Sequence, residues 1–153
     1  MNTIAKQVTT EILDGIPLAQ AMGLTLESYN QQGLTYRVPF ELNTNVHQTA
    51  FAGSISTLMI LTGWALLNIR LREEKLNASV VLAKHQSKFR KPIESEFSAV
   101  CLLPSVGNWN AFLEDLYNRR RARLELRVVI DFQGDCAAEF TGSYVAQMNN
   151  EGS

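Results

Sequence analysis

The hydrophobic pattern is densest between residues 55 and 71, where apolar side chains occur on nearly every side of a helical projection. Ser56, Thr57, Thr62 and Asn68 interrupt this run only at isolated positions. A helix that is apolar all round must be enclosed by protein rather than laid on a surface. Because the run is short and interrupted for a bilayer span, we interpret it as one long core helix and predict no membrane partner.

Alternating polar and apolar residues predict strands on both sides of this helix. Before it, residues 24–29 and 34–40 alternate around a turn-forming sequence, which indicates a hairpin. After it, the pattern predicts four further strands, at 79–90, 96–103, 121–128 and 136–147. The predicted class is α+β, with a curved, mostly antiparallel sheet wrapped around one long central helix.

The ends of the chain predict simpler elements. Apolar residues recur at helical spacing near the N-terminus, so residues 1–15 are expected to form a helical cap over one end of the sheet. Residues 149–153 are expected to be a disordered tail. Without an interior linker, 1–153 is predicted to be a single domain. Such an open sheet leaves edge strands, and pairing of edges between two copies predicts a homodimer.

Composition and charge narrow the class of protein. The net charge of −1 gives no overall attraction to nucleic acid or acidic membranes. Cys101 and Cys136 lie in predicted strands without a CxxC or His/Cys cluster, so we expect reduced thiols and no metal site. The N-terminal residues lack a signal-peptide pattern, which predicts a cytoplasmic protein.

Polar side chains are concentrated just before the central helix. Asn43, Asn45 and His47 precede a small-residue turn at Ala52 and Gly53. Free N–H groups in the first turn of a helix, together with the positive end of its dipole, attract an oxyanion. The alternative is a capped core helix after an ordinary Asx turn, because Ser, Gly and Asn are common at such positions.

The segment from Asn43 to Ser54 reads Asn-x-Asn-x-His-x-Thr-Ala-Phe-Ala-Gly-Ser. This segment and the order of elements resemble the hot-dog fold over roughly residues 16–147. With Gly63-Trp64 on the helix, the chain is similar to a family of thioesterase domains, sometimes fused to an acetyltransferase domain, that includes malonyl-acyl-carrier-protein decarboxylases. The resemblance implies an acyl thioester substrate on the phosphopantetheine arm of acyl carrier protein or coenzyme A, without a further cofactor. It also implies active sites at the interface of a homodimer, or of a tetramer built from dimers.

The same resemblance assigns roles to particular residues. The backbone N–H groups of Gly53 and Ser54 would form an oxyanion hole, and Asn45 would lie nearest the acyl group. Hot-dog thioesterases usually carry a carboxylate on the loop before the helix or about two turns into it. Here those positions hold Asn43 and a residue near Ile60, and neither is acidic.

The missing carboxylate changes which reaction is favoured. Hydrolysis needs a general base or a nucleophile, and His47 is the nearest candidate. Decarboxylation of a malonyl thioester needs only donors around the developing enolate oxygen. We therefore expect a malonyl-acyl-carrier-protein decarboxylase that supplies acetyl-carrier protein for initiation of fatty-acid synthesis, with Asn43, Asn45 and His47 as catalytic candidates. The alternatives are an acyl-thioester hydrolase and a non-catalytic acyl-binding dimer.

Basic residues are clustered rather than spread. Nine of the 14 lysines and arginines lie within residues 84–91 and 119–127. Two explanations fit this clustering equally well. One is a solvated strand face, and the other is a docking surface for an acidic carrier protein and its phosphate. Nucleic-acid binding is not expected, because no aromatic stacking platform accompanies the arginines. The candidate carrier-binding residues are Lys88, Arg90, Lys91, Arg121 and Arg123.

Overall fold

The structure, a computed structural model, describes residues 2–150. Within these residues the strands form one six-stranded sheet in the order β1-β2-β4-β5-β6-β3, and every neighbouring pair is antiparallel. The predicted α+β class and antiparallel sheet are confirmed. The elements are α1 Thr3–Gly15, α2 Pro17–Met22, β1 Thr25–Asn30, β2 Gly33–Val38, α3 Ala52–Glu73, β3 Ala78–Phe89, β4 Phe97–Leu102, α4 Val106–Arg119, β5 Arg121–Phe132 and β6 Asp135–Met148.

The central helix α3 is enclosed by the sheet. It packs against β2, β3, β4, β5 and β6, and Leu58, Met59 and Leu66 on it are fully buried. By length and composition alone α3 could cross a membrane, but most of it is buried inside the fold, as is usual for a core helix. Burial of this apolar helix is what makes the sheet curve around it.

One glycine on α3 allows the sheet to approach the helix closely. A Cβ atom on Gly63 would lie 2.9 Å from Cζ of Tyr144 on β6. The Tyr144 hydroxyl donates a hydrogen bond of 2.8 Å to the carbonyl of Ile60. Burial raises the pKa of Tyr144, so the hydroxyl stays a neutral donor. The glycine before Trp64 therefore has a packing role.

The N-terminal cap lies along α3 rather than over one end of the sheet. Helix α1 packs on α3 and β1 through a buried stripe that includes Val8 and Ile12. Helix α1 is apolar on this side only, and this side covers the part of α3 that the open sheet leaves uncovered. An ion pair between Glu11 and Arg72 fastens the two helices, and the Arg72 guanidinium lowers the pKa of Glu11.

The predicted disordered tail, residues 149–153, falls partly inside and partly outside the described residues. Asn149 is held in place, because its backbone N–H and its Nδ2 donate to Asn77 at 3.0 and 2.9 Å. Residues 151–153 lie outside the described part of the chain, so their predicted disorder stays a prediction.

Candidate active site at the start of the central helix

The start of α3 has no capping side chain. The helix begins at Ala52, in the small-residue turn before the apolar run, and its N-cap is Phe51, which offers no side-chain acceptor. The first N–H groups of a helix have no partner within the helix. The backbone N–H groups of Gly53 and Ser54 are therefore available to a ligand, and the helix dipole favours a negatively charged one. Ser54 lies inside the first turn and is not the cap.

Gly53 is required by the ring of Phe51. A Cβ atom at position 53 would lie 2.8 Å from Cζ of Phe51. The ring covers the first turn from one side and remains 52% exposed. Only glycine leaves room for this arrangement, so the ring and the two N–H groups are positioned together.

Two cavities lie on opposite sides of this first turn. The first, which we call the α2 cavity, has a volume of about 270 Å³ and is lined by Gly53, Ser54 and Thr57 of α3 together with residues of α2. The second, which we call the β3 cavity, has about 300 Å³ and is lined by Ala52 and Ile55 together with the end of β3. Successive helical residues are about 100° apart, so these two sets face opposite directions. A group bound at the helix start can thus extend to both sides.

Asn43 lies in the wall of the α2 cavity and is 1% exposed. Its Nδ2 donates to the carbonyls of Met22 and Pro39 at 2.9 and 2.7 Å. Because both carbonyls need a donor, this fixes which end of the amide carries oxygen. Its Oδ1 has no hydrogen-bond partner, and it is the one buried side-chain N or O atom in this state within residues 2–150. The Asn43 side chain is thus held in place by its Nδ2, while its oxygen is buried without a donor.

Asn45 is engaged within its own loop. Its Oδ1 accepts from the backbone N–H groups of His47 and Thr49 at 2.8 and 3.2 Å, and its Nδ2 donates to the Thr49 hydroxyl at 2.9 Å. This is the Asx-type turn left open as an alternative by the sequence. His47 is exposed at the turn of the loop. Neither Asn45 nor His47 is among the described residues that line the two cavities.

The chemistry available at the helix start is electrostatic. Of the described residues that line the two cavities, none is Asp, Glu, His or Cys. The polar groups present are the helix N–H groups, the hydroxyls of Thr49, Ser54 and Thr57, the Asn43 amide, and the cations Arg90 and Lys91. Such a site can stabilise a negatively charged oxygen, but it supplies no general base from its walls.

The predicted carrier-binding residues form two separate patches. Arg90 and Lys91 line the β3 cavity and pair with Glu139 and Asp135 at 3.0 and 3.3 Å, and the Arg90 guanidinium lowers the pKa of Glu139. Lys88 is exposed nearby on β3, opposite Glu139 of β6.

The second patch lies at the far end of the sheet. Arg121 lies opposite Gln147 of β6. Since Gln147 and Glu139 are eight residues apart on β6, the two patches are about 27 Å apart along the sheet. Arg121 and Arg123 line a different cavity of about 400 Å³, and Arg123 donates to the Ser143 hydroxyl at 2.9 Å.

Sequence reasoning did not find two residues that line this site, Thr57 and Met22. Thr57 lies one helical turn after Gly53, a spacing that could have revealed it. Met22 comes from α2, which carries no local signal of a ligand site. His85 lines neither cavity; it is exposed on β3 and stacks on Phe140 with ring centroids 5.2 Å apart. It shares one face of β3 with Phe89, which lines the β3 cavity.

A family profile described as putative thioesterase (yiiD_Cterm) matches residues 5–148. The chain belongs to this family. It is similar to a protein of unknown function from Chlorobaculum tepidum TLS, with 25% identity, a TM-score of 0.90 and 95% of each chain covered. A putative thioesterase from Shewanella oneidensis has 26% identity and a TM-score of 0.87, with 96% of this chain and 99% of that chain covered.

A more distant neighbour extends the likeness in fold. The PaaI protein of the E. coli phenylacetic acid degradation operon has 15% identity and a TM-score of 0.65, with 96% of this chain and 94% of that chain covered. The predicted hot-dog fold is confirmed. Membership of the family makes this a thioesterase-like hot-dog protein and supports an enzyme that processes acyl thioesters.

Proposed function

We propose that the protein decarboxylates a malonyl thioester carried on phosphopantetheine and releases an acetyl thioester. The observation that supports this proposal is the uncapped start of α3, flanked by cavities whose described walls contain no general base. Loss of CO2 from a malonyl thioester needs stabilisation of an enolate, and fixed N–H donors supply it. Hydrolysis needs an activated water, for which these walls offer no proton acceptor of suitable pKa.

The reaction uses the N–H groups of Gly53 and Ser54. The thioester oxygen accepts from them, the bond between the α-carbon and the carboxylate breaks, and its electron pair forms the enolate while CO2 leaves. A proton from solvent then adds to the α-carbon and gives the acetyl thioester. Removing one such donor typically costs about 10²–10³ in rate. Arg90 and Lys91 in the β3 cavity favour binding of the malonyl carboxylate.

Asn45 and His47 take supporting roles in this proposal. Asn45 holds the loop that leads to Phe51, because its amide bonds three groups of residues 47 and 49. His47, on the exposed side of that loop, is a candidate for contact with the carrier. We expect Asn45→Ala to lower kcat/KM at least tenfold with the helical circular-dichroism signal unchanged. Near-normal turnover would remove Asn45 from the mechanism.

Hydrolysis of an acyl thioester is the second candidate function. The family description and the name of the Shewanella oneidensis neighbour favour it. The missing general base ranks hydrolysis below decarboxylation. A non-catalytic acyl-binding dimer is the remaining alternative.

The proposed assembly is a homodimer joined along β3. This strand ends the sheet, and Val81 and Phe89 on it are more than half exposed. An exposed edge of this kind is a template for pairing with a second copy. Such pairing would bring the partner next to the β3 cavity. The two basic patches would then offer separate contacts to an acidic carrier protein.

One incubation distinguishes the three functions. The protein is mixed with malonyl-carrier protein or malonyl-coenzyme A, and the acyl group is followed by mass spectrometry. Acetyl thioester with released CO2 is the expected result, free thiol with malonate would indicate hydrolysis, and unchanged substrate would indicate binding alone. Gly107→Ala, at the start of α4, serves as the control variant because a Cβ there meets no atom within 4 Å.

The basic patches are tested separately. Arg90→Glu should lower kcat/KM for malonyl-carrier protein and flatten its salt dependence, because it reverses a charge at the β3 cavity. Arg121→Glu should have the smaller effect if the carrier docks mainly beside α3. Equal loss in both variants would indicate a carrier footprint that spans the sheet.

A further inference from the structure

Three arginines at the junction of α4 and β5 line one cavity without forming an ion pair. The cavity, which we call the α4 cavity, has a volume of about 400 Å³, and Arg119, Arg121 and Arg123 lie in its walls. Among residues 2–150, no carboxylate lies within 4.0 Å of these three side chains. Arg90 and Lys91 of the other basic patch differ, because each of them is paired with an acid. The positive charge of the α4 cavity is therefore available to a ligand.

The fold brings these arginines together from a helix and a strand, and it fixes one of them. Arg121 and Arg123 are two residues apart on β5 and both exposed, so their side chains share one face, with Cα atoms about 6.8 Å apart. The Arg123 guanidinium donates at 2.9 Å to the hydroxyl of Ser143, which is only 7% exposed. Arg119 comes from the last turn of α4. Like charges held this close repel each other, and a bound anion would offset that repulsion.

The lining of the α4 cavity restricts the chemistry of the anion. Its charged residues are the three arginines and Asp115, so three positive charges stand against one negative charge. A guanidinium binds phosphate oxygens through two parallel N–H donors. The other lining residues, Ala122 and Val145, are aliphatic and give a nucleobase no ring to stack on. The volume falls within the range usual for small-molecule sites. The cavity therefore fits a small molecule that is recognised by two or more phosphate groups.

We propose that the α4 cavity binds a small polyphosphate-bearing molecule through Arg119, Arg121 and Arg123. The site is separate from the thioester chemistry, because it lies about 27 Å along the sheet from the basic patch beside the start of α3. An acidic carrier protein is the other class of partner that this charge could attract. The concave shape favours the small molecule, since guanidinium groups that surround a cavity suit a compact anion, whereas charges at a protein interface act mainly by long-range steering.

Calorimetry with sodium tripolyphosphate in magnesium-free buffer tests the site in the full chain. We expect one saturable site per chain, with an affinity at least about tenfold higher than that for inorganic phosphate, because the longer anion engages more guanidinium groups. The affinity should fall as NaCl is raised. The absence of saturable binding, or equal affinities for the two anions, would overturn the proposal.

Substitutions on β5 distinguish this cavity from general surface charge. Arg121→Gln and Arg123→Gln each remove one guanidinium from the cavity, so each should weaken tripolyphosphate binding at least about tenfold. Arg127→Gln is the matched control, because Arg127 lies on the same face of the strand but outside the cavity and pairs with Glu139 at 3.7 Å. Its affinity should stay within about twofold of wild type. All three arginines are exposed, so the variants should fold. Equal losses in the three variants would indicate attraction without a site.

Competition with the carrier decides between the two classes of partner. Acyl carrier protein without its phosphopantetheine arm, added in excess, should leave the binding of tripolyphosphate unchanged. Loss of binding in its presence would assign the arginines to carrier docking and overturn the proposal. None of these measurements involves a thioester, so a failure of the proposed decarboxylation is distinguishable from a failure of this site.

Discussion

Helices α3 and α4 begin with similar residues, but only one of them has its first N–H groups capped by a side chain. Each has glycine at its second position, Gly53 in α3 and Gly107 in α4. At α4 the Ser105 hydroxyl accepts from the backbone N–H of Asn108 at 3.1 Å. At α3 the N-cap is Phe51, and no side chain accepts from the first turn. The first turn is thus capped by a side chain in α4 and left uncapped in α3.

The missing cap lowers the stability of α3 at its start, and we interpret this loss as serving the function of the site. Phenylalanine is a poor N-cap because it has no acceptor, and a Ser, Asp or Asn there would ordinarily stabilise a helix by about 1 kcal/mol. The open start is flanked by two cavities, with Gly53 and Ser54 half-buried, whereas residues 105–108 at the capped start are all exposed. Donors kept free at such a place are suited to a developing oxyanion.

Closing the open start should have the largest effect. Phe51→Asp introduces an acceptor at the N-cap, which can bond the N–H of Gly53 or Ser54 and would also repel a malonyl carboxylate. We expect turnover of malonyl-carrier protein to fall at least about 100-fold. The free energy of unfolding in urea should change by no more than about 1 kcal/mol, because the gained cap offsets the lost ring contact.

The matched control for this change is Phe51→Leu. Leucine keeps an apolar side chain and adds no acceptor, so activity should stay within a few-fold of wild type. If Phe51→Asp remained fully active, the N–H groups of the first turn would not contact the reacting oxygen.

Alanine at the two equivalent glycines sharpens the comparison. In Gly53→Ala the new Cβ meets the ring of Phe51, so the ring or the helix start must move, and we expect at least a tenfold loss of kcat. In Gly107→Ala the Cβ meets no atom within 4 Å, so activity should be unchanged. Because alanine is the better helix former, the second variant should be more stable by about 0.5–1 kcal/mol. Equal kinetics in the two variants would contradict a special role for the α3 start.

Much of the fold follows from local patterns in the sequence. The apolar run at 55–71 and the alternation of Arg121 to Arg127 with buried neighbours predicted the central helix and β5, because burial on all sides or on one side leaves a direct periodic signal. The apolar run itself begins three residues after the helix does, and no propensity favours Phe51 as an N-cap. Only tertiary packing, with its ring over Gly53, makes that residue the boundary.

The site was less predictable than the fold. The sequence identified the amide-rich loop and the helix start, but not that Asn45 is engaged locally while Asn43 carries the unpartnered oxygen. That distinction depends on the carbonyls of Met22 and Pro39, which come from other parts of the chain. Likewise, the separation of the basic residues into two patches depends on strand register, which composition does not reveal.

Removing the cap of α4 should have the smallest effect and no effect on activity. Ser105→Ala leaves the N–H of Asn108 without its side-chain acceptor, so we expect the free energy of unfolding to fall by about 1 kcal/mol. For a protein of this size that corresponds to a decrease in Tm of about 2–4 °C. Ser54→Ala provides the comparison at α3: because Ser54 caps nothing, its stability should stay within about 0.5 kcal/mol of wild type. A loss of stability at Ser54 as large as that at Ser105 would mean that the α3 start is capped in solution, and its N–H groups would then not be free to hold the oxygen of a thioester.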